Sequence, residues 1–349
     1  MMMRLLLVAG VMMWSGSAAA QALPTWTYTV LSARDGLTHS GSMVGASPFT
    51  SPGASTSVPA QIVPLILRME DGTTFDPTSQ PAPCAQAPFT STPELTLFQA
   101  SPLFQNHAWV LNGVDVGSTQ FGDAFQRANF WSLVRGQNYH VLLGPVTTLP
   151  PVTVPVPASV VTSHNQGCGS GVFIDMTWMK NYIEGTLIPP LAAQGVGPAT
   201  LPIVFWSGLV YAYGFHAAFG TPQQTYVAGS AGPMSHEIAE WMDDPFATNV
   251  VADWGFVGQF PNSCSPALEV ADAPGRYNEG PTMPNGYTYW LPELAYFSWF
   301  MGAPSLAAAG AFSSNGTFKG PAAPCPPGGS LPAPVPAAPS APTNLRIVQ

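Results

Sequence analysis

The chain has 349 residues, is 46% hydrophobic, only 8% charged, and carries a net charge of -9. Typical soluble domains are about 25% charged, so solubility here must rest on Ser, Thr, Asn, Gln and exposed backbone. The nine Lys and Arg form no cluster, which argues against a nucleic-acid partner, because phosphate neutralisation needs grouped basic side chains.

The first residues, MMMRLLLVAGVMMWSGSAAAQA, place Arg4 before an apolar run from Leu5 to Trp14 and then small residues. This is the layout of a secretory signal peptide over residues 1–20, with cleavage as late as residue 22. The apolar run is too short for a bilayer, which takes roughly 20 residues. No later stretch is an uninterrupted apolar span, so the mature form is expected to be secreted, extracellular or periplasmic, without a membrane anchor. Four cysteines, Cys84, Cys168, Cys264 and Cys325, form no CxxC pair. In an exported chain they suggest two disulfides, with three connectivities open.

One α+β domain is expected over residues 23–320, with irregular Pro- and Gly-rich loops. Residues 23–60 read as a strand and then a loop. Ala60–Met69 reads as a buried strand ended by the turn pair Asp71-Gly72. A Pro-rich loop follows over 77–93. Thr119–Val134 predicts a helix, with Phe121, Phe125, Ala128 and Trp131 on one face. Tyr139–Leu143 suggests a short strand, and LPPVTVPVPASV must be extended because its prolines forbid a helix. A helix is expected over the second half of Val172–Ile183, a buried strand over Leu201–Tyr211, and a short strand over Gln224–Ala228. Ser235 is placed as an N-cap before a helix running to about Met242, ended by Asp243-Asp244-Pro245. Asn285-Gly286 signals a hairpin, and YTYWLPELAYFSWF reads as strand and then helix. From Pro321 a Pro-rich linker or tail begins.

Acidic residues are scarce, 18 in all, yet seven of them fall between positions 236 and 272: Glu237, Glu240, Asp243, Asp244, Asp253, Glu269 and Asp272. On a helix, His236 and Glu240 share a face one turn apart. That spacing lets one helix offer an imidazole nitrogen and a carboxylate oxygen to a single zinc ion. Glu237 sits beside such a metal, where the HExxH metalloproteases keep the general base that takes a proton from the activated water. Here Glu240 stands in place of the second His. It adds negative charge, makes an activated water less acidic, and widens the candidate metals from zinc towards manganese or calcium. The third ligand comes from Glu269 or Asp272 in Glu269-Val270-Ala271-Asp272, with His216 as a further candidate. The alternative is a solvated helix face or a structural hydrogen-bond network.

Three blocks, GFHAAF at 214–219, SHEIAEWMDDP at 235–245 and LEVAD at 268–272, resemble blocks of the Exordium-like, or phosphate-induced, secreted proteins. DAFQRANFW at 123–131 is similar to a block of uncharacterised bacterial secreted proteins. The resemblance covers about the second half of the chain. Plant members carry a Cys soon after the acidic block, whereas Ala273-Pro274 follow here, so their disulfide pattern does not transfer. The resemblance implies a zincin-like, metallopeptidase-type fold with a mixed sheet and an HExxE helix. Position by position, it puts His236, Glu237 and Glu240 in the HExxE block, Glu269 and Asp272 in the acidic block, and His216 in the GFH block.

The function expected is a secreted metal-dependent hydrolase acting on an extracellular peptide or polymer. Glu237 would be its base, and His216 or Tyr226 would help hold the oxyanion. The competing expectation is a non-catalytic extracellular or wall-associated binding protein whose metal is structural or absent. A third is structural calcium at the carboxylates.

Overall fold

The apolar run at 60–69 is the second half of a 15-residue strand, Ser55–Met69. The computed structural model describes residues 22–81, 85, 87–165, 171–206, 209–211, 231–255, 264–323 and 325. The expected signal peptide, Cys84, Cys168, His216, the expected strand Gln224–Ala228 with Tyr226, and the tail beyond 325 lie outside these residues.

The long strand is the axis of a mixed five-stranded sheet. Along one edge it pairs in parallel with His140–Thr148 and then with Val152–Val156. Along the other it pairs in parallel with Leu201–Phe205 and antiparallel with Thr74–Phe75. Prolines normally break a central strand. Here Pro59 falls at a register shift between Val58 and Ala60, and Pro64 lies in the gap between the partners His140–Thr148 and Val152–Val156. Pro155 and Pro202 sit in edge strands, where a missing donor is tolerated.

Alternation along this strand feeds two cores. Val58, Ala60 and Ile62 face the larger core. Val63, Leu65, Leu67 and Met69 face a smaller one, shared with Met179, Ile183, Leu187, Ile188 and Leu191. Those five come from Met176–Tyr182, a π turn over Ile183–Leu187, and Ile188–Leu191. Asp175 caps this segment by accepting from Trp178 N at 2.7 Å. The preceding Gly171–Ile174 is a strand, so the helix occupies the second half of its window, as the sequence predicts.

Three expectations are corrected. The helix expected through Val134 is Phe121–Asn129 followed by a separate short turn, Trp131–Val134. Tertiary bonds break it: Asn129 Oδ1 accepts from Phe297 N at 2.9 Å, and Ser132 N donates to Leu306 O at 2.9 Å. The run Leu201–Tyr211 is two strands in two sheets, since Leu209–Tyr211 pairs with Gly171–Ile174. Residues 23–60 hold a hairpin, Thr25–Leu31 against Thr38–Val44, where one strand was expected. The Asn285-Gly286 hairpin forms between Tyr277–Thr282 and Thr288–Pro292, with Gly286 at φ +82°, and the helix Phe297–Met301 follows.

All nine residues of Phe121–Asn129 are buried, and its polar side chains find partners inside. Asp123 accepts from Thr119 Oγ1, from Val141 N, and pairs with His140 Nδ1 at 2.7 Å. Arg127 donates to the carbonyls of Val116 and Tyr139. Arg34 acts in the same way at the far end of the hairpin. Its guanidinium donates to the carbonyls of Ala252, Asp253, Phe300, Ala322 and Ala323. Close by in sequence, the Cys264–Cys325 disulfide joins the strand Cys264–Ala267 to the same C-terminal stretch. Such a bond persists in oxidising compartments, and no described helix is long and apolar enough to cross a membrane.

Asn249 fastens the hairpin to the helix Gly232–Asp243. Its side chain accepts from Ser42 N at 2.9 Å and donates to Ser42 O and Asp243 O, each at 2.7 Å. Gly41 makes room for it: a Cβ there would lie 2.6 Å from Asn249 Cγ and 2.5 Å from the Tyr28 hydroxyl. Gly41→Ala therefore displaces this clamp, at a cost of about 1–3 kcal/mol, or roughly 2–5 °C in Tm for a chain of this size. Thermal unfolding followed by circular dichroism measures it.

Candidate metal centre

The helix Gly232–Asp243 carries the HEIAE segment. It begins four residues earlier than the sequence suggests. Pro233 fits the first turn, where a backbone N–H has no helical partner. Ser235 is thus not the N-cap but lies inside the helix, donating to Ala231 O at 2.6 Å. The helix ends where expected. Asp244 Oδ1 accepts from Thr248 N at 2.9 Å and the carboxylate also receives Asn249 N, closing the turn.

An ordinary surface helix would turn its carboxylates to water. This one buries them, with His236 7% exposed, Glu240 2% and Asp243 0%, so the solvated-face alternative is ruled out. Ile238, Ala239, Trp241 and Met242 are buried as well, which leaves the helix enclosed on most sides.

The strand Cys264–Ala267 delivers the LEVAD block into a turn against this helix. The N–H groups of Ala271 and Asp272 donate to Glu240 Oε1 at 3.3 and 3.2 Å. That grip carries the Asp272 carboxylate to His236, with Oδ1 at 3.0 Å from Nε2; Glu240 Oε1 lies 3.2 Å from the same nitrogen. The three donor atoms of His236, Glu240 and Asp272 all lie within 4.8 Å of one another, and all three residues are buried. Asp272 Oδ1 is enclosed and has no aligned hydrogen-bond donor, although the His236 nitrogen is close. A cation between the three would satisfy it.

Electrostatics agree with that geometry. Burial by itself lowers the His236 pKa, but the charges of Glu240 and Tyr277 and side-chain hydrogen bonding with Asp272 and Glu240 raise it well above its ordinary value. Two buried carboxylates thus favour positive charge at this place. Tyr277 is the residue that sequence reasoning missed. Its hydroxyl lies 3.4 Å from His236 Nδ1, and its ring stacks on the imidazole at 6.4 Å between centroids. The available signal was a tyrosine five positions after Asp272, since a metal-binding imidazole needs a partner for its second nitrogen.

Of the sequence-predicted ligands, His236, Glu240 and Asp272 converge. Glu269, only partly buried, stands outside the cluster, just before the turn at 270–274. Glu237, adjacent to His236 and half-buried, is near enough for its charge to raise the Tyr277 pKa. His216 lies outside the described residues. Asp243 does not join the metal donors; its Oδ1 accepts from Gln126 Nε2 at 2.9 Å.

Burial raises the Asp243 pKa, the Gln126 bond lowers it, and the charges of Asp244 and Glu240 raise it, leaving it at about 7. A folded pKa above the unfolded value of about 3.9 contributes stability that is full below pH ~4 and is lost as pH rises through ~7. In chelator-treated protein, Asp243→Asn should flatten the fall in Tm between pH 4 and 8. The wild-type fall should correspond to a few kcal/mol at most, on the order of that pKa difference. Calorimetry of both proteins across this range measures it.

No protein-family model matches the chain, no curated protein matches it, and no solved structure matches it. The site therefore stands on its own geometry: a buried His/Glu/Asp triad able to hold a metal ion.

Proposed function

We propose that this chain is an exported metal-binding protein and, on that footing, a zincin-like metal-dependent hydrolase acting on an extracellular peptide or polymer. The observation that carries the proposal is the convergence of His236 Nε2, Glu240 and Asp272, with Asp272 Oδ1 left without a hydrogen bond. A neutral imidazole and two carboxylates balance one dication, and uncompensated buried charge is costly. The nitrogen donor favours zinc or manganese over calcium, which takes oxygen ligands.

A cation held there supplies Lewis acidity, activating water and polarising a carbonyl. His236, Glu240 and Asp272 would hold it. The Ala271 and Asp272 amides keep the Glu240 carboxylate oriented. Glu237, one residue along the helix from His236, takes the proton from the attacking water and passes it to the leaving group. The HEIAE helix followed by an acidic turn supports the resemblance to Exordium-like secreted proteins and a zincin-like arrangement. A structural cation on a non-catalytic extracellular scaffold is the second reading, favoured by the near-complete burial of all three donors.

Elemental analysis of the purified mature protein tests the first step. About one equivalent of zinc or manganese is expected in wild type, and less than roughly a tenth of that in His236→Ala and Asp272→Asn, since each removes one of a minimal set of donors. Absence of stoichiometric metal from wild type overturns the proposal. Glu237→Gln should keep its metal and lose roughly 10²–10⁴-fold in peptide-library cleavage. Metal with no cleavage by wild type selects the structural reading.

A further inference from the structure

An imidazole can offer Nε2 to a cation only when its remaining proton sits on Nδ1, and the partner of Nδ1 decides how firmly that tautomer is held. At His236 that partner is Tyr277. The two carboxylates stand on the Nε2 side, at 3.0 and 3.2 Å, and the phenol oxygen stands on the Nδ1 side, at 3.4 Å. Among the described residues, neither a carboxylate nor a backbone carbonyl, the partners metal-binding imidazoles most often use, is hydrogen-bonded to Nδ1.

The phenol is well anchored for this task. Tyr277 opens the hairpin strand Tyr277–Thr282 and sits opposite Pro292. The preceding carbonyl, Arg276 O, accepts from Glu293 N at 3.0 Å. Glu293 is itself fixed, accepting from Ser313 Oγ at 2.5 Å and Thr317 Oγ1 at 2.6 Å. The partner strand Thr288–Pro292 packs on the HEIAE helix. The ring stacks on the imidazole with an interplanar angle of 26°, which restrains rotation of His236 about its own axis. Tyr277 follows Asp272 by five residues, so one short segment supplies both a donor to the cation and the brace for the opposite donor.

We propose that Tyr277 is a positioning residue of the metal centre: its phenol oxygen accepts from His236 Nδ1–H and holds the tautomer whose Nε2 lone pair faces Glu240 and Asp272. This inference rests on the metal reading. It goes beyond it by assigning the strength of the site to a residue that touches no metal.

The variant Tyr277→Phe keeps the ring and removes only the oxygen. Zinc affinity, measured by competition with a chromophoric chelator, should fall about 10–100-fold, while Tyr277→Leu, which also loses the stack, should fall at least as far. Imidazole ¹⁵N NMR supplies a readout that loss of packing would not mimic. In zinc-loaded wild type, the His236 Nδ1 proton should be protected from exchange, and in Tyr277→Phe it should exchange freely while the Tm of the metal-free proteins stays matched. Equal zinc affinity in wild type and Tyr277→Phe overturns the proposal, as does an Nδ1 proton equally protected in both. Failure of wild type to take up zinc or manganese is a separate result that sinks the metal reading and this inference together; a Tyr277→Phe null with metal-binding wild type sinks this inference alone.

Discussion

The arrangement depends on one contact, the donation of the Ala271 and Asp272 N–H groups to Glu240 Oε1. Glu240 is 2% exposed, and a carboxylate taken that far from water needs donors. Backbone amides supply them without adding a compensating charge. The contact therefore does two things. It makes a buried anion tolerable, and it fixes the LEVAD turn against the helix in the one register that brings Asp272 to His236. Without it, the helix would still present an imidazole and a carboxylate, but the third donor would have no reason to approach.

The surrounding structure holds the two partners of this contact in place. Arg34 gathers five carbonyls from the strand at 252–253, the helix at 297–301 and the stretch at 322–323. The disulfide joins Cys325 of that last stretch to Cys264, at the start of the strand leading into the LEVAD turn. At the other end, Asn249 ties the last turn of the helix to the N-terminal hairpin, and Gln126 of the wholly buried helix holds Asp243. A chain that is only 8% charged thus spends an unusual share of its ionic groups inside, each met by amides, carbonyls or a neighbour of opposite sign. Groups placed this way specify geometry more than they stabilise it.

Much of the fold was legible because local signals were strong. The apolar run at 60–69, the Asn285-Gly286 turn and the strand-then-helix order of the aromatic segment all follow from periodicity and turn chemistry. The errors share a cause. The helix break at Phe130 and the division of Leu201–Tyr211 between two sheets are set by distant partners, Phe297, Leu306 and Gly171–Ile174; the early start at Gly232 is the exception, a local effect of Pro233 in the first turn. Periodicity is blind to such partners. At the site, the i, i+4 spacing marked His236 and Glu240, since helix geometry alone puts them on one face. It left Glu269 and Asp272 equivalent, because their difference is made by a turn and not by a repeating conformation.

The sequence by itself determined an acidic, charge-poor chain, a helix bearing His236, Glu237 and Glu240, and a second acidic block about thirty positions on. Those are properties of composition and local geometry. Only the tertiary structure decided that the helix turns its carboxylates inward, that Asp272 and not Glu269 completes the donor set, and that Tyr277 stands behind His236. Each of these is a matter of long-range packing, in which the cost of burying charge selects the few arrangements where charged groups from distant parts of the chain come together.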